Sequence, residues 1–453
     1  MKSSLAIAAE FAGGKLTGAD RTFDGISTDS RSIHEGELFI ALQGPNFDGG
    51  EYVDDALAQG AAGAMASRSS ATAIPQILVE DTRLALGRLA AGWRRKQSAV
   101  VVGITGSNGK TTLKEMTAAC LSAAAPTLAT EGNLNNDIGM PLMMTRIDAE
   151  HRYAVLEMGA NHAGEIAYLC SLAEPDVVAI TNAAASHLEG FGSVDGVAQA
   201  KGEILCGSVR PGVAVLNADD VYFEQWRKLA SDVDVVSFGL RDNADVYASK
   251  IQSDREGSSF ALHLPGGAIK VRLSLPGRHN VRNACAAAAI ANAVGIAAEN
   301  IQAGLEQVRP VSGRLRPLTG LNGATLFDDS YNANPLSVAA AAEFLATLGG
   351  DTYLVLGDMG ELGSDTEQLH AQVGAAARKA GVNYLFAAGD FSRQTVKAFG
   401  ENAHWFATVD ALIDALQKVV TPDSNVLVKG SRFMRMERVV AALSEPQARQ
   451  ESA

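Results

Sequence analysis

Short apolar runs alternate with amphipathic stretches along most of the chain. Four apolar runs of strand length lie at 99–105, 153–157, 177–182 and 213–217. The stretches between them, including 110–123, 164–171 and 194–207, carry apolar residues at helical spacing. Strands separated by helices predict a mostly parallel sheet with helices on both faces. Two further runs, 259–264 and 269–275, flank Pro265-Gly266-Gly267 and predict a hairpin added to that sheet.

The same alternation occurs on both sides of this region. Before it, strands are predicted at 37–42 and 76–80, and helices at 52–59 and 82–96, the second capped by Asp81. After it, strands are predicted at 324–328, 353–357, 384–388 and 426–429, in a Rossmann-like unit that lacks GxGxxG after its first strand. The expected fold class is α/β with three domains: a small N-terminal domain at 1–97, a central mostly parallel sheet at 98–312, and a Rossmann-like domain at 313–453.

Length and composition agree with this division. A chain of 453 residues suggests about three domains, and 47% hydrophobic with 20% charged residues is ordinary for a folded protein. A net charge of −13 argues against a nucleic-acid binder that works by neutralising phosphates. Neither a signal peptide nor a run long enough to span a bilayer stands out, so we expect a cytoplasmic protein. We also expect a monomer, since no sustained heptad is present, and buried free thiols at all four cysteines.

The strongest chemical signal is a phosphate-binding loop. The segment from Gly103 to Thr111 fits GxxxxGK[ST], follows a predicted strand and precedes a predicted helix, which is the context the motif requires. Its glycines let backbone N–H groups turn towards phosphate oxygens, while Lys110 reaches the β and γ phosphates and the Thr111 hydroxyl binds Mg²⁺. The sequence therefore predicts a site for a nucleoside triphosphate.

Three further residues have positions that suggest chemistry. Glu157 ends the predicted strand 153–157, where a second ligand for Mg²⁺ is expected. His187 lies in the loop after the next strand, where a histidine by itself indicates little. Lys201 shares a helical face with Val197, Ile204 and Leu205. A lysine on an inward face must extend to solvent, pair with an acid or lose its charge, and the pattern alone leaves these alternatives open.

Several enzyme classes use such a loop. A GTPase would carry an Asn/Thr-Lys-x-Asp motif, which is absent. A small-molecule kinase has no evident need for three domains, and a motor or helicase would favour a basic face for nucleic acid. A ligase driven by ATP needs separate places for ATP, an acid and an amine, and therefore suits three domains best. A non-enzymatic nucleotide-binding module would need no inward lysine.

Ordered motifs resemble one family along nearly the whole chain. The loop from Thr105 to Thr112 resembles the ATP loop of the Mur ligases and folylpolyglutamate synthases. Matches follow in family order at Glu157, at His187, at Lys201 within AQAKGEI, at Arg278-His-Asn280-x-x-Asn283, at Ser312-Gly-Arg314 and at Asp328-Asp329-Ser-Tyr-Asn-Ala-Asn-Pro335. Thr28-Asp29-Ser30-Arg31 resembles the UDP-binding turn of the muramyl-peptide ligases. Since about 97 residues precede the ATP domain, the Mur ligases fit better than the folylpolyglutamate synthases.

The segment from Gly132 to Pro141 and the DDSYNANP string look like the family branch that adds D-alanyl-D-alanine. This resemblance implies an ATP-dependent ligase whose substrates are UDP-N-acetylmuramoyl-tripeptide and D-alanyl-D-alanine, acting in peptidoglycan precursor synthesis. The terminal carboxylate would attack the γ-phosphate of ATP, and the amine of the dipeptide would then attack the resulting acyl phosphate. The third residue of the tripeptide, meso-diaminopimelate or lysine, stays open.

The resemblance also implies roles for individual residues. Lys110, Glu157, His187, Lys201, Arg314 and Asp329 would form the catalytic set, with Thr111, Glu157, His187 and a carbamylated Lys201 holding two Mg²⁺ ions. ATP would contact the loop residues Thr105, Gly106, Ser107, Asn108, Gly109, Lys110, Thr111 and Thr112, together with Asn280, Arg314 and Asp329. The UDP-linked substrate would contact Thr28, Ser30, Pro45, Asn46, Phe47, Asn133, Asn135 and Asn136. Catalysis would require the C-terminal domain to close onto the central one.

Overall fold

The computed structural model describes residues 1–44, 46–71, 73–207 and 209–445, and its strands form three large sheets that follow one another along the chain. The first sheet has five strands in the order β2-β9-β8-β5-β4, parallel except for β2 against β9. Its region contains β1 Ser3–Ser4, α1 Leu5–Ala12, β2 Lys15–Thr17, β3 Thr22–Phe23, β4 Ile26–Ser27, β5 Leu38–Ile40, β6 Gln43–Gly44, β7 Phe47–Asp48, α2 Val53–Ala58, β8 Gly63–Ala66, β9 Gln76–Leu78 and α3 Thr82–Arg94.

Helix α3 joins the first sheet to the second. The Asp81 carboxylate caps its start by accepting from the backbone N–H groups of Arg83 and Leu84, at 2.8 and 2.9 Å, as predicted. At its other end the Trp93 indole donates to the Ile147 carbonyl at 2.7 Å, so this helix also packs on the central unit.

The second sheet has nine strands in the order β11-β12-β10-β13-β14-β15-β16-β17-β18. The strands from β11 to β16 pair in parallel, and β16, β17 and β18 form an antiparallel extension. The elements are β10 Val100–Thr105, α4 Lys110–Ser122, β11 Thr127–Ala129, α5 Gly139–Met144, β12 Tyr153–Glu157, α6 Glu165–Ala173, β13 Val177–Ile180, α7 Leu188–Phe191, α8 Val194–Gly202, β14 Val213–Asn217, α9 Phe223–Leu229, β15 Asp234–Gly239, β16 Val246–Ser253, β17 Ser258–Leu264, β18 Gly267–Leu273, α10 Arg278–Ala293 and α11 Ala298–Gln307.

Both faces of the central sheet are covered, which explains why its strands are apolar without alternation. Along β10, Val102 packs in the core under α4 and α10, while Val101 packs in the opposite core under α6 and α8. In α10 every residue from Ala284 to Ala291 is fully buried. Small side chains let this helix lie against the sheet and bring its N-terminal end to the phosphate loop.

The third sheet has six strands in the order β19-β20-β24-β21-β22-β23, parallel except for β19. Since β24 returns between β20 and β21, the chain reverses direction across the sheet there, which is where open α/β sheets bind ligands. The elements are β19 Arg316–Thr319, β20 Thr325–Asp329, α12 Pro335–Ala346, β21 Asp351–Gly357, α13 Thr366–Ala380, β22 Tyr384–Ala388, α14 Ser392–Phe399, β23 Ala403–Phe406, α15 Val409–Val419, β24 Ser424–Lys429 and α16 Glu437–Leu443.

The α/β architecture with three sheet-based units confirms the predicted fold class, and the predicted hairpin is β17–β18. In the central sheet the structure adds three strands that were not predicted, β11, β15 and β16. It also splits the helix predicted at 194–207 into α8 and a 3₁₀ turn, Glu203–Leu205. One prediction was wrong: Cys206 is exposed, because the chain leaves the helix immediately before it, whereas the other three thiols are buried. Among the described residues no helix has the length and apolarity that crossing a membrane requires. The domain boundaries after residues 97 and 312 stay predictions.

Candidate active site

A cavity of about 750 Å³ lies where strand ends of the central and C-terminal sheets face each other. The loops that follow β10, β12 and β13 line one side, and the loops that follow β20, β21 and β24 line the other. All six strands are parallel members of their sheets, so their carboxyl ends and the following loops share one edge. The cavity is therefore built from the loops of two sheets.

The phosphate loop on the central side has a backbone that only glycine accommodates at two points. Gly106 has φ +142°, and a Cβ there would lie 1.9 Å from the Thr181 hydroxyl. Gly109 has φ +81°, and a Cβ there would lie 2.9 Å from the Asn283 side chain. The loop can follow this path because it carries no side chains at these positions, which leaves its N–H groups free to turn inward.

Asn182 supports the loop from the adjacent strand end. Its side-chain oxygen accepts from the Asn108 N–H at 3.1 Å, its amide donates to the Asn108 carbonyl at 3.0 Å, and its own carbonyl accepts from the Ser107 N–H at 2.9 Å. The Lys110 ammonium folds back on the loop, donating to the Gly106 carbonyl at 2.7 Å. The loop is thus held in shape before a phosphate arrives, and its lysine lies at the site where phosphate oxygens would bind.

Glu157 offers one oxygen that no described group satisfies. The carboxylate is only 3% exposed. Its Oε1 accepts from the Asn135 side chain at 2.8 Å, while Oε2 is buried without a hydrogen-bond partner. Such an oxygen is costly unless a ligand pairs with it, and a hard divalent cation would do so. A single free carboxylate oxygen of this kind fits Mg²⁺, which takes oxygen ligands and is usually held by one or two carboxylates together with substrate phosphates.

Lys201 is buried at one side of this cavity. It is 1% exposed, with Nζ 3.4 Å from the Ala160 carbonyl and 5.2 Å from the centre of the Phe191 ring. It does not extend to solvent, and no acid lies within ion-pairing distance of its ammonium in the described structure. Burial, with help from the charge of Lys110, lowers the pKa of the Lys201 ammonium to about 7. A large neutral fraction at neutral pH makes this amine nucleophilic.

His187 is where the central and C-terminal units meet. The residue has φ +52° at the start of α7, and its Nδ1 contacts the carboxylate of Glu361, which follows β21. The backbone repeats the contact, since the Leu188 N–H donates to the Glu361 carbonyl at 2.8 Å. Burial lowers the pKa of His187 and outweighs the opposing effect of Glu361.

The C-terminal side contributes cations and a second acid. The Arg314 guanidinium lies 4.0 Å from the centre of the Tyr331 ring and 3.5 Å from the Thr111 hydroxyl of the phosphate loop. Asp329, at the end of β20, contacts the Lys429 ammonium at 2.7 Å. An arginine held against an aromatic face beside the loop is placed to bind phosphate.

The structure brings most of the predicted site residues to one cavity. Those that line it are Ser107, Asn108, Gly109, Lys110, Thr111, Thr112, Asn133, Asn135, Asn136, Glu157, His187, Asn280, Arg314 and Asp329. Thr105, Gly106 and Lys201 are not among the lining residues: Thr105 ends β10, Gly106 follows it in the loop, and Lys201 contacts the carbonyl of Ala160. Thr28, Ser30, Asn46 and Phe47 belong to the N-terminal region and do not line this cavity, while Pro45 lies outside the described residues.

Two of the predicted asparagines already have internal partners. Asn135 donates to Glu157 as described above, and the Asn136 side chain accepts from the Gly139 N–H at 2.8 Å at the start of α5. Their amides therefore shape the loop between β11 and α5 and orient the Glu157 carboxylate. Asn280 is 3% exposed and donates to the Pro276 carbonyl at 2.8 Å, which holds it at the first turn of α10.

Several residues that line the cavity were not singled out from the sequence, among them Asn182, Glu361, Lys429, Arg432 and Phe433. Each lies at or just beyond the carboxyl end of a parallel strand. The rule that ligands bind at this edge of a parallel sheet would have selected them as candidates. It could not have shown which of them point into the same cavity.

Comparisons with known proteins agree with this geometry. The sequence profile of the Mur ligase middle domain matches residues 104–291, that of the Mur ligase glutamate ligase domain matches 313–432, and that of the Mur ligase family catalytic domain matches 22–94. UDP-N-acetylmuramoyl-tripeptide–D-alanyl-D-alanine ligase of Escherichia coli K12 is 46% identical over 435 residues, which cover 95% of this chain and 96% of that protein.

Two solved structures share the whole architecture. The crystal structure of MurF from Acinetobacter baumannii has a TM-score of 0.92 and 38% identity, covering 97% of this chain and 98% of that one. The MurF ligase of Thermotoga maritima, solved with ADP, has a TM-score of 0.82 and 26% identity, covering 92% and 96% of the two chains.

Proposed function

The chain belongs to the Mur ligase family, and we propose that its cavity joins UDP-N-acetylmuramoyl-tripeptide to D-alanyl-D-alanine at the expense of ATP. The observation that carries this function is the convergence in one cavity of the phosphate loop, the Glu157 carboxylate and the C-terminal Arg314. ADP and phosphate are the other products, and the reaction belongs to cytoplasmic peptidoglycan precursor synthesis. We expect the chain to act as a monomer.

In the first step the terminal carboxylate of the tripeptide attacks the γ-phosphate of ATP. The phosphate loop binds the triphosphate through its backbone N–H groups, and Lys110 leaves its carbonyl partners to neutralise the oxygens of the transferring group. Arg314 approaches from the other side, beside Thr111. Charge neutralisation from two sides lowers the barrier and yields an acyl phosphate and ADP.

In the second step the ammonium group of D-alanyl-D-alanine first loses a proton to solvent, and the neutral amine then attacks the acyl carbon. The C–N bond forms, the C–O bond to phosphate breaks, and phosphate leaves with the second amine proton. The two facing walls of the cavity hold the acyl group and the amine together. A bimolecular reaction thereby becomes effectively unimolecular, which lowers the entropic part of the barrier. The same walls keep water from the acyl phosphate. Asp329 would contact the ribose of ATP, and Asn280 would contact the adenine.

We assign the cation sites to residues that suit them. Bound Mg²⁺ would neutralise phosphate charge during transfer, and Thr111 with the free oxygen of Glu157 would hold one ion. His187 and a carbamylated Lys201 would hold a second. The lowered pKa of Lys201 supports carbamylation, because only the neutral amine adds CO₂.

The N-terminal region would hold the other end of the acid substrate. We place the UDP-binding domain at 1–97, the ATP domain at 98–312 and the amine-binding domain at 313–453. Thr28, Ser30, Asn46 and Phe47 would contact the uridine diphosphate, with Pro45 between them in sequence. Phe47 is 56% exposed, which leaves an aromatic surface for a ligand. Asn133, Asn135 and Asn136 would border the path of the sugar and peptide towards the phosphate loop.

The test is phosphate release from MgATP with UDP-N-acetylmuramoyl-tripeptide, measured with and without D-alanyl-D-alanine. We expect release to require both, with a product heavier than the acid substrate by the dipeptide minus water. Release driven by a folate and glutamate would instead place the chain with the folylpolyglutamate synthases. Absence of release with either pair would overturn the proposed ligase.

A further inference from the structure

The C-terminal wall of the cavity contains a group of side chains to which the steps above give no role. Glu361 follows β21, and Arg432 and Phe433 follow β24. All three line the cavity. They carry a negative charge, a positive charge and an aromatic surface, which are the three features a short zwitterionic peptide would recognise.

Ser431 ties the two segments together. Its hydroxyl accepts from the Gly360 N–H at 2.9 Å and donates to the Ala333 carbonyl at 3.3 Å, and the residue is only 5% exposed. Glu361 follows Gly360 in the chain, and Arg432 follows Ser431. The hydrogen bond between Gly360 and Ser431 therefore holds the starting points of the two charged side chains close together. A dipeptide is at most roughly 7 Å long, a length that two side chains rooted so close together can bracket.

The two charged groups point in different directions. The Glu361 carboxylate contacts His187, at the end of the cavity nearest Lys201 and the phosphate loop. The Arg432 side chain is 67% exposed and pairs at 3.3 Å with Glu437, which does not line the cavity. An exposed ion pair of this kind is weak, so Arg432 can exchange Glu437 for a ligand carboxylate.

Phe433 follows Arg432 in the chain and also lines the cavity. The residue is 63% exposed. A Cβ at Gly360 would lie 2.9 Å from this ring, so glycine is what lets the ring rest on the neighbouring loop. The exposed ring offers apolar contact to small side chains such as methyl groups.

We propose that Glu361, Phe433 and Arg432 form the binding site for the incoming dipeptide, with Glu361 receiving its ammonium group and Arg432 its terminal carboxylate. The amine then enters beside His187, next to the acyl phosphate, and the carboxylate stays at the cavity mouth. A carboxylate and a guanidinium at the two ends select a free dipeptide over a longer or blocked one. This inference rests on the proposed function.

Arg432 is tested with a substrate that lacks its partner. D-alanyl-D-alaninamide keeps the amine and replaces the carboxylate by a neutral amide. We expect wild-type enzyme to prefer D-alanyl-D-alanine over the amide by at least about tenfold in kcat/KM, the scale of one charge-assisted hydrogen bond. Arg432→Ala should raise the KM for the dipeptide at least about tenfold and reduce that preference to a few-fold. Arg432→Lys should restore part of it, and a preference unchanged in Arg432→Ala would overturn the assignment.

Glu361 is tested with Glu361→Gln, which keeps size and removes charge. We expect the KM for D-alanyl-D-alanine to rise at least about tenfold, with the KM for ATP and the Mg²⁺ requirement unchanged. A raised Mg²⁺ requirement with an unchanged dipeptide KM would mean that Glu361 acts on a cation, and would overturn the proposal. If Glu361→Gln does not fold, Glu361→Asp serves as the second variant, because it keeps the charge on a shorter side chain. We expect Glu361→Asp to raise the KM for D-alanyl-D-alanine by less than about tenfold. A KM for the dipeptide equal to that of wild type would count against the site.

Two matched variants control for loss of charge alone. Arg435→Ala removes an exposed arginine from the same turn as Arg432, and Glu367→Gln removes an exposed carboxylate of the same unit, and neither residue lines the cavity. Both should have the dipeptide KM of wild type. The wild-type assay separates the two levels of inference: without dipeptide-dependent phosphate release the proposed function fails, whereas release that is insensitive to Glu361→Gln and Arg432→Ala overturns only this site.

Discussion

The side-chain amides of Asn108 and Asn334 exchange two hydrogen bonds across the cleft between the central and C-terminal units. The Asn334 amide donates to the Asn108 oxygen at 2.7 Å, and the Asn108 amide donates back at 3.3 Å. Asn108 belongs to the phosphate loop, whereas Asn334 caps helix α12 through the Ser337 N–H at 2.9 Å. The capped start of a C-terminal helix is thereby linked to the loop expected to bind ATP.

A substitution in this pair should weaken the contact between the C-terminal unit and the phosphate loop without changing the stability of the fold. Asn334→Ser keeps a side-chain oxygen for the helix cap and loses the partner of Asn108. Two neutral hydrogen bonds are worth about 1 kcal/mol each, so kcat/KM for ATP should fall roughly 5- to 30-fold. The unfolding midpoint should stay at the wild-type value. A double-mutant cycle with Asn108→Ala checks the coupling, and additive effects of the two substitutions would contradict it.

The unpartnered oxygen of Glu157 predicts a requirement for Mg²⁺. Glu157→Gln keeps the oxygen that Asn135 binds and replaces the other by an amide, so folding should be preserved. Activity should fall about 100-fold and the half-saturating Mg²⁺ concentration should rise, because a bound divalent ion contributes several kcal/mol. Titrating phosphate release with Mg²⁺ measures both. Glu131→Gln, which removes an exposed carboxylate paired with Arg146, is the control and should behave as wild type.

The buried amine of Lys201 predicts rescue by small carboxylates. Lys201→Ala should lose about 100-fold in activity, as is typical when a group that orients a metal is removed. It leaves space for acetate or propionate, which can replace the carbamate oxygens and restore part of the phosphate release. Lys201→Arg leaves no such space and should not respond. Equal responses of the two variants to acetate would argue against a carbamate at this position.

His370 predicts an acid-sensitive C-terminal unit. Its Nε2 accepts from the Met359 N–H at 3.0 Å and its Nδ1 donates to the Thr366 carbonyl at 2.8 Å, so the ring is neutral. Burial lowers the pKa of His370. Below pH about 6.5 His370 therefore binds a proton in the unfolded chain but not in the folded chain. The free energy of unfolding falls as the pH drops through this range.

The measurement for His370 is thermal unfolding from pH 7.5 to 5.5. His370→Leu should cost about 1–3 kcal/mol at pH 7.5 because it removes both hydrogen bonds. The difference from wild type should narrow as the pH falls below 6.5, since the variant has no imidazole to titrate. His34→Leu, at an exposed site, should show no such narrowing. A constant difference across the range would mean that the buried ring does not control acid stability.

Local patterns predicted much of the fold. Four parallel strands of the central sheet, β10, β12, β13 and β14, were visible as apolar runs because both faces of that sheet are covered, and the hairpin β17–β18 was visible through its turn. Strands β11, β15 and β16 were missed. Strand β11 has only three residues, and β16 has polar and charged side chains among its apolar ones with no continuous buried run. Cys206 was misplaced because a 3₁₀ turn ends the helix there, which helical spacing could not show.

The sequence by itself determined the phosphate loop, its glycines and the strand and helix beside it, because their geometry depends on neighbouring residues. Only the tertiary structure decided which residues of the C-terminal unit lie opposite the phosphate loop. Asn108 and Asn334 are 226 positions apart, and Glu361 meets His187 through the packing of two separate sheets. Contacts of this kind depend on how whole units dock, and the docking of units produces no local periodicity in the sequence.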